Sequence, residues 1–310
     1  MTSLPFDDRD GDIWLDGVFV PWREARLHVL SHGLHYGGGV FEGERVYDGR
    51  VFELTAHSRR LHSSARELGF RIPFDVAELD GATRELVSRL RIRDGYVRPV
   101  AWRGSEQLGV SGAGTSVHVA IAAWEWPHVF SAAARNQGIT LATSRWRRPS
   151  PDTAPVHAKA SSLYNICTLA RDAAAADGYD DALLLDFRGH LAEATGANLF
   201  LVIDGALHTP LADVFLSGIT RQTVIALAAE LGIAVHERHI DPAELAHADE
   251  VFLTGTAYEV QPVRAVDGKP YEVGAVTQSL AEAYTRLVHT PAAYGAKSPT
   301  SAAVDESNTS

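Results

Sequence analysis

A chain of 310 residues, 45% hydrophobic and 22% charged, is long enough for two ordinary domains and apolar enough to bury a core. Its net charge of −11 argues against general binding to nucleic acid or to an anionic membrane surface, both of which need a basic face. The one cysteine, Cys167, excludes an internal disulfide; no apolar run reaches the ~20 residues of a membrane span, and the polar, acidic Met1–Gly11 holds no basic apolar leader, so a cytoplasmic protein is expected.

In chain order, Ile13-Trp14-Leu15, Asp16-Gly17 and Val18-Phe19-Val20 predict a hairpin, as do Val46-Tyr47, Asp48-Gly49 and Val51-Phe52. A helix is expected from about Thr55 to Leu68, ended by Gly69, and a second from about Val76 to Arg91, with Asp75 and Glu78 spaced as a capping box. Tyr96 to Ala101 and Val117 to Trp124 pattern as strands, and the Gly- and Ser-rich Glu106 to Thr115 as a loop. The regular pattern lapses around Pro127 to Gly138, which sets the expected limits: a first domain at 1–127, an interdomain loop at 128–137, a larger domain at 138–290 and a disordered tail at 291–310. The larger domain opens on the strand Ile139 to Ala142. A helix from about Leu163 to Ala176, strands Ala182 to Asp186 and Asn198 to Val202, and a turn at Asp204-Gly205 follow. A helix over Thr220 to Leu231, N-capped by Thr220, a strand Glu250 to Leu253 and a helix over about Val276 to Val288 complete it. Strands and helices mix without strict alternation, so the expected class is α+β.

Among 28 basic residues only Lys159, Lys269 and Lys297 are lysine. Lys269 lies in a turn and Lys297 in a polar tail, but Lys159 stands in Val156-His157-Ala158-Lys159-Ala160-Ser161-Ser162-Leu163, where it is the one formal charge. A chain that otherwise uses arginine for positive charge points to a lysine doing what arginine does not: losing a proton and forming an imine. A phosphorylated aldehyde cofactor would further need an anion site, a ring-nitrogen partner and a donor to its ring oxygen. Leu216-Ser217-Gly218-Ile219-Thr220-Arg221 leads into a helix whose N–H groups suit an anion, and equally suits a capped helix that binds nothing. Thr254-Gly255-Thr256 offers more donors, or is a plain turn. Glu193, alone among small residues in Leu191-Ala192-Glu193-Ala194, could pair with a ring nitrogen or face solvent; Tyr164 could reach the ring oxygen or pack in the core.

Several blocks, in order, carry a resemblance. They are Leu30-Ser31-His32-Gly33-Leu34-His35-Tyr36-Gly37 with Val40-Phe41-Glu42-Gly43, Arg60-Leu61-His62, Tyr96-Val97-Arg98-Pro99, and Ala158-Lys159 with Tyr164-Asn165. Glu193-Ala194 with Asn198-Leu199-Phe200, Gly218-Ile219-Thr220-Arg221 and Gly255-Thr256-Ala257 with Glu259 complete the set. Together they resemble the fold type IV pyridoxal-phosphate aminotransferases over about residues 12–288, most of all the branched-chain amino acid subgroup. The resemblance implies a small N-terminal α/β domain and a larger pseudo-barrel domain with pyridoxal 5'-phosphate between them, and a homodimer that completes each site. It implies that Lys159 forms the Schiff base and shuttles a proton, that Glu193 pairs with the ring nitrogen and Tyr164 with the ring oxygen, and that Arg60, Ile219, Thr220 and Thr256 hold the phosphate. It implies that Tyr96, Thr256 and Ala257 bind the substrate α-carboxylate, that Tyr36 and Arg98 face the side-chain pocket, and that Phe41 and Trp126 form its apolar walls. The expected activity is ping-pong transamination between branched-chain L-amino acids and 2-oxoglutarate.

Two departures keep an alternative open. Val129 stands where the subgroup often has an aromatic residue, and the loop Arg103 to Ser111 differs from the common form, with Arg103 a potential second cation. A transaminase for D-amino acids or (R)-amines is the alternative, with a lyase on the same fold or a non-catalytic binding protein behind it. His28, His32 and His35 lack a nearby carboxylate or cysteine set, so a structural role is expected rather than a metal site, and Cys167 is expected to be a buried, inert thiol.

Overall fold

The computed structural model describes residues 5–126 and 130–291. It divides into two compact units, Met1–Pro127 with Ala158–Ser162, and His128–His157 with Leu163–Ser310. The division falls beside Pro127, and the five residues around Lys159 belong to the first unit rather than the second. Val129 and, apart from residue 291, the expected tail at 291–310 lie outside the described residues.

In chain order the first unit has β1 (Asp12–Leu15), β2 (Val18–Pro21), α1 (His32–Tyr36), β3 (Gly39–Phe41), β4 (Glu44–Tyr47), β5 (Arg50–Val51), α2 (Leu54–Glu67), α3 (Val76–Arg89), β6 (Gly95–Arg103) and β7 (Val117–Glu125). Its antiparallel sheet runs β2-β1-β7-β6-β4-β5, with β3 also on β6. Both expected hairpins form; Asp16 (φ 49°) and Gly17 (φ 96°) take the positive-φ conformation that two-residue hairpin turns require. The Asp75–Glu78 capping box opens α3. Alternation sorts β6: Val97 and Ala101 join Val46, Leu61, Leu79 and Leu86 in the core beneath α2 and α3, while Tyr96 and Arg98 share the opposite face.

The second unit has α4 (Ala132–Gln137), β8 (Ile139–Arg148), α5 (Asn165–Ala176), β9 (Asp181–Asp186), β10 (Leu191–Ala194), β11 (Asn198–Ile203), β12 (Ala206–Pro210), α6 (Ile219–Glu230), β13 (Val235–Arg238), β14 (Glu250–Gly255), β15 (Glu259–Val266), β16 (Lys269–Pro270) and α7 (Ala275–Val288). Its sheet runs β10-β9-β8-β15-β14-β11-β12-β13, and a further pairing of β10 with β11 closes six of these strands into a barrel. Ile139, Leu141, Leu199, Leu201, Val251 and Leu253, each two residues from the next on its strand, fill the core on one face. On the other face Phe200 and Phe252 stack, 4.9 Å between centroids, and α6 and α7 pack together and against β14.

Two local expectations need correction. Residues 128–137 are not all loop: Ser131 caps the short helix α4, and the Gln261 amide bonds the Ala134 carbonyl. Thr220 is not the N-cap of its helix. Gly218 is, in an extended conformation (φ −65°, ψ 143°), and Thr220 is buried in the first turn. No side chain caps that end. Among the described residues no helix is long and apolar enough to cross a membrane.

Candidate active site

The run Val40 to Tyr47 is strand-like and splits its residues by parity. Val40, Glu42, Glu44 and Val46 turn to the helix side; Phe41, Gly43 and Arg45 turn to the Tyr96–Arg98 side. On that second side the Arg98 guanidinium lies 4.8 Å from the Phe41 ring centroid and 5.3 Å from that of Tyr96, and its Nη2 donates to the Tyr96 hydroxyl at 3.5 Å. Tyr96 meets Trp126 edge-on, centroids 4.7 Å apart, and the Trp126 carbonyl accepts from buried Arg45. A Cβ on Gly43 would run into the Tyr96 hydroxyl, so any side chain at this position must displace the Tyr96 ring.

Lys159 lies at the edge of β3. Ala160 bridges Val40, the Lys159 carbonyl accepts from the Phe41 N–H at 3.1 Å, and the Lys159 N–H donates to Ser64 Oγ of α2 at 2.9 Å. Its Nζ stands 5.0 Å from the Phe41 ring centroid. Phe41 thus carries two cations, the amine of Lys159 and the guanidinium of Arg98. Sequence reasoning selected Phe41, Tyr96, Arg98, Trp126 and Lys159, and the first unit brings them together. Tyr36, at the end of α1, is exposed and packs on His32 instead.

On the helix side, Arg60 makes a two-pronged contact with Glu42: Nε to Oε1 at 2.7 Å and Nη2 to Oε2 at 2.8 Å. His57 Nδ1 meets the same carboxylate at 2.7 Å. Burial pushes the Glu42 pKa up, but the Arg60 charge and then His57 more than reverse this, holding it far below the usual carboxylate range. An ionised carboxylate only accepts, so His57 Nδ1 carries the proton. Glu44, two residues on, is fully buried, and neither carboxylate oxygen has a hydrogen-bond partner. Burial, then the charges of Glu42 and Asp80, push its pKa well above the ordinary value.

In the second unit Glu193 lies on β10, paired in register with Asn198 on β11. The Asn198 amide donates to Glu193 Oε2 at 3.3 Å and to the Leu216 carbonyl at 3.0 Å, and its oxygen accepts from the Gly218 N–H at 3.1 Å. One carboxamide therefore ties the carboxylate to the start of α6, where Ile219 and Thr220 lie. Arg148 Nε stands 3.3 Å from Glu193 Oε1, an ion pair with little exposure on either side. The turn holding Thr256 and Ala257 is fixed from behind: the Tyr258 hydroxyl donates to fully buried Asp181 at 2.6 Å, Arg171 Nη1 donates to that hydroxyl at 2.7 Å, and the Thr195 hydroxyl also reaches Asp181. Burial, then the Asp181 charge, raises the Tyr258 pKa. Tyr164 is the residue before α5, its carbonyl accepting from Thr168.

These donors suit a phosphorylated pyridine aldehyde. In the first unit Lys159 is an amine suited to an aldehyde; in the second, a carboxylate linked by one side chain to a helix N-terminus that no side chain caps, and a braced Thr-Ala turn, suit a ring nitrogen and a phosphate. Sequence reasoning gave Glu42, Glu44, Ser64, Arg148, Asn198 and Asp181 no role at the site. The parity of Val40 to Val46 was the available signal for the first two. Arg103 is not a second cation for substrate: its guanidinium bonds the carbonyls of Leu68, Gly69 and Gly112. His28, His32 and His35 bond backbone groups through ring nitrogens, His32 reaching the Val110 carbonyl. Cys167 is buried.

A barrel joined to an antiparallel α/β unit, with these groups on both, is a fold type IV α+β protein. The chain belongs to the amino-transferase class IV family, whose model matches residues 39–266. It is 43% identical over 288 residues to a branched-chain-amino-acid aminotransferase of Pseudomonas aeruginosa, covering 91% of this chain and 94% of that one. Among solved structures it is similar to the Escherichia coli branched-chain amino acid aminotransferase, at TM-score 0.89 and 40% identity over 93% of this chain and 98% of that one. It is also similar to an aminotransferase from Brucella abortus bound to the cofactor PLP, at TM-score 0.81 and 30% identity over 90% of this chain and 100% of that one.

Proposed function

We propose that this chain is a pyridoxal 5'-phosphate-dependent aminotransferase that moves an amino group between branched-chain L-amino acids and 2-oxoglutarate. The observation that carries the substrate class is the Phe41 ring with Lys159 on it at 5.0 Å and Arg98 at 4.8 Å. An aliphatic side chain rests on that ring and on Trp126, while the distal carboxylate of glutamate reaches Arg98. Both substrates are then served by one pocket in alternation, which is ping-pong kinetics.

When bound, the cofactor supplies an aldehyde and an electron-accepting ring. Lys159 would anchor it covalently and, once freed as an amine, would take the proton from the substrate α-carbon and deliver it to the former aldehyde carbon of the cofactor. Glu193, held by Asn198 and Arg148, keeps the ring nitrogen protonated. Tyr164 donates to the ring oxygen. Ile219 and Thr220, with Thr256 and Arg60, hold the phosphate. Tyr96 and the Thr256-Ala257 amides orient the α-carboxylate. Tyr36, exposed beside His32 within one chain, would complete the side-chain pocket from a second copy.

A second copy of the chain is the expected partner, giving a homodimer. Val29, Leu30 and Leu34, on α1 and the residues before it, and Leu108 and Val110, on the loop after β6, expose apolar surface that His32 joins through Val110 and Gly104. Light scattering at the dimer mass tests this, and a monomer refutes it. The reading also keeps the cytoplasm as its setting.

A half-reaction panel tests the function. The yellow protein should bleach with L-leucine and with L-glutamate, and borohydride reduction should label Lys159. Bleaching with D-alanine or (R)-1-phenylethylamine but with neither L-amino acid would transfer the assignment to the D-amino acid and (R)-amine class. Colour without any bleaching would make it a binding protein.

A further inference from the structure

Five residues of the first unit form a closed circuit. Ser64, buried on α2, accepts the Lys159 N–H at 2.9 Å. The Lys159 carbonyl accepts the Phe41 N–H at 3.1 Å. The residue after Phe41 is Glu42, which grips Arg60 through both carboxylate oxygens. Arg60 and Ser64 are four residues apart on α2, one helical turn, so the path returns to its start. A fully buried carboxylate contributes little stability that well-packed apolar groups would not, so packing alone does not account for Glu42.

We propose that Glu42 and Ser64 are positioning residues that set the Lys159 main chain and the Arg60 guanidinium at one fixed spacing, gauging the distance between the cofactor's aldehyde and its phosphate. This rests on the reading of Lys159 and Arg60 as cofactor contacts. Glu42, gripping Nε and Nη2 together, fixes the plane and direction of the guanidinium. Ser64 and Phe41 hold the lysine backbone on either side of its Cα. A cofactor lacking the phosphate follows the lysine alone and is indifferent to the spacing; one carrying the phosphate is not.

The test compares pyridoxal 5'-phosphate with pyridoxal, titrated by absorbance into the full chain freed of cofactor, and reads the ratio of the two dissociation constants. Arg60→Ala serves as the reference and should lower the preference for the phosphorylated form. Glu42→Gln should lower it by roughly ten- to a hundredfold, the weight of one hydrogen bond to a charged group. Ser64→Ala, which does not touch Arg60, should lower it by about fivefold, the weight of one neutral hydrogen bond. It also keeps the test decisive should Glu42→Gln not fold. A merely structural role would weaken both ligands alike. An unchanged ratio in Ser64→Ala and Glu42→Gln beside a lowered one in Arg60→Ala overturns the gauge. An unchanged ratio in Arg60→Ala as well overturns the phosphate role of Arg60 beneath it.

Discussion

Glu44→Gln should change the pH dependence of stability in one direction only. Glu44 is fully buried on β4, its oxygens unpartnered, with Glu42 and Asp80 adding negative charge nearby. Burial first, and those charges second, raise its pKa in the folded chain, so the native state keeps a proton that the unfolded chain releases near the ordinary glutamate value of about 4.3. The native state is therefore favoured by that proton at low pH, and the advantage is lost as pH rises from the unfolded value towards the native one. Each pH unit inside that window costs the wild type about 1.4 kcal/mol. Glutamine has nearly the shape of the neutral acid and no proton to lose. Its own unpartnered amide adds an offset that does not vary with pH. Stability of the variant relative to wild type should thus climb by about 1.4 kcal/mol per unit above pH ~5. Urea unfolding of both proteins, followed by tryptophan fluorescence at a series of pH values, measures the difference. A constant offset from pH ~5 to ~8 would refute the reasoning, because it would mean Glu44 titrates alike in both states.

Two further outcomes follow from the face that carries Phe41. Gly43→Ala runs a methyl group into the Tyr96 hydroxyl and must displace that ring; kcat/KM for amino acid substrates should drop by about a hundredfold while the bound cofactor keeps its absorbance. Bleaching kinetics equal to wild type would show that Tyr96 does not orient substrate. Arg98→Ala should slow the L-glutamate half-reaction at least about tenfold more than that of L-leucine, since one charge-assisted hydrogen bond is withdrawn from only one of them. Equal slowing removes the basis for a pocket shared by the two substrates.

Much of this architecture is written locally. The Asp-Gly turns, the capping box of α3 and the alternation of β6 each follow from a few adjacent residues, and each is found where those residues place it. What escapes is what depends on distant partners. The ladder of β8 runs through Arg148, past the Ile139 to Ala142 expected of it, because β9 and β15 both pair with it in parallel. Thr220 looks like a cap by type, yet Gly218 turns the chain two residues earlier and Thr220 is carried inside. At the site, Lys159 and Glu193 stand out because each charge is isolated in sequence, and Arg98 through the resemblance that Tyr96-Val97-Arg98-Pro99 carries. Glu42, Glu44 and Ser64 do not. Glu42 finds its partners on α2, 15 or more residues away, and Ser64 meets Lys159 across 95 residues.

The barrel has a clasp. Of its six junctions, that between β10 and β11 rests on a single residue pair, Glu193 with Asn198, reinforced by the Ala194 N–H on the Ala197 carbonyl. The proposed electrostatic partner of the ring is thus also a rivet of the wall. With Glu193 in that proposed role, chemistry and closure meet at one residue: a substitution there alters the hoop's narrowest junction and the ring's partner together.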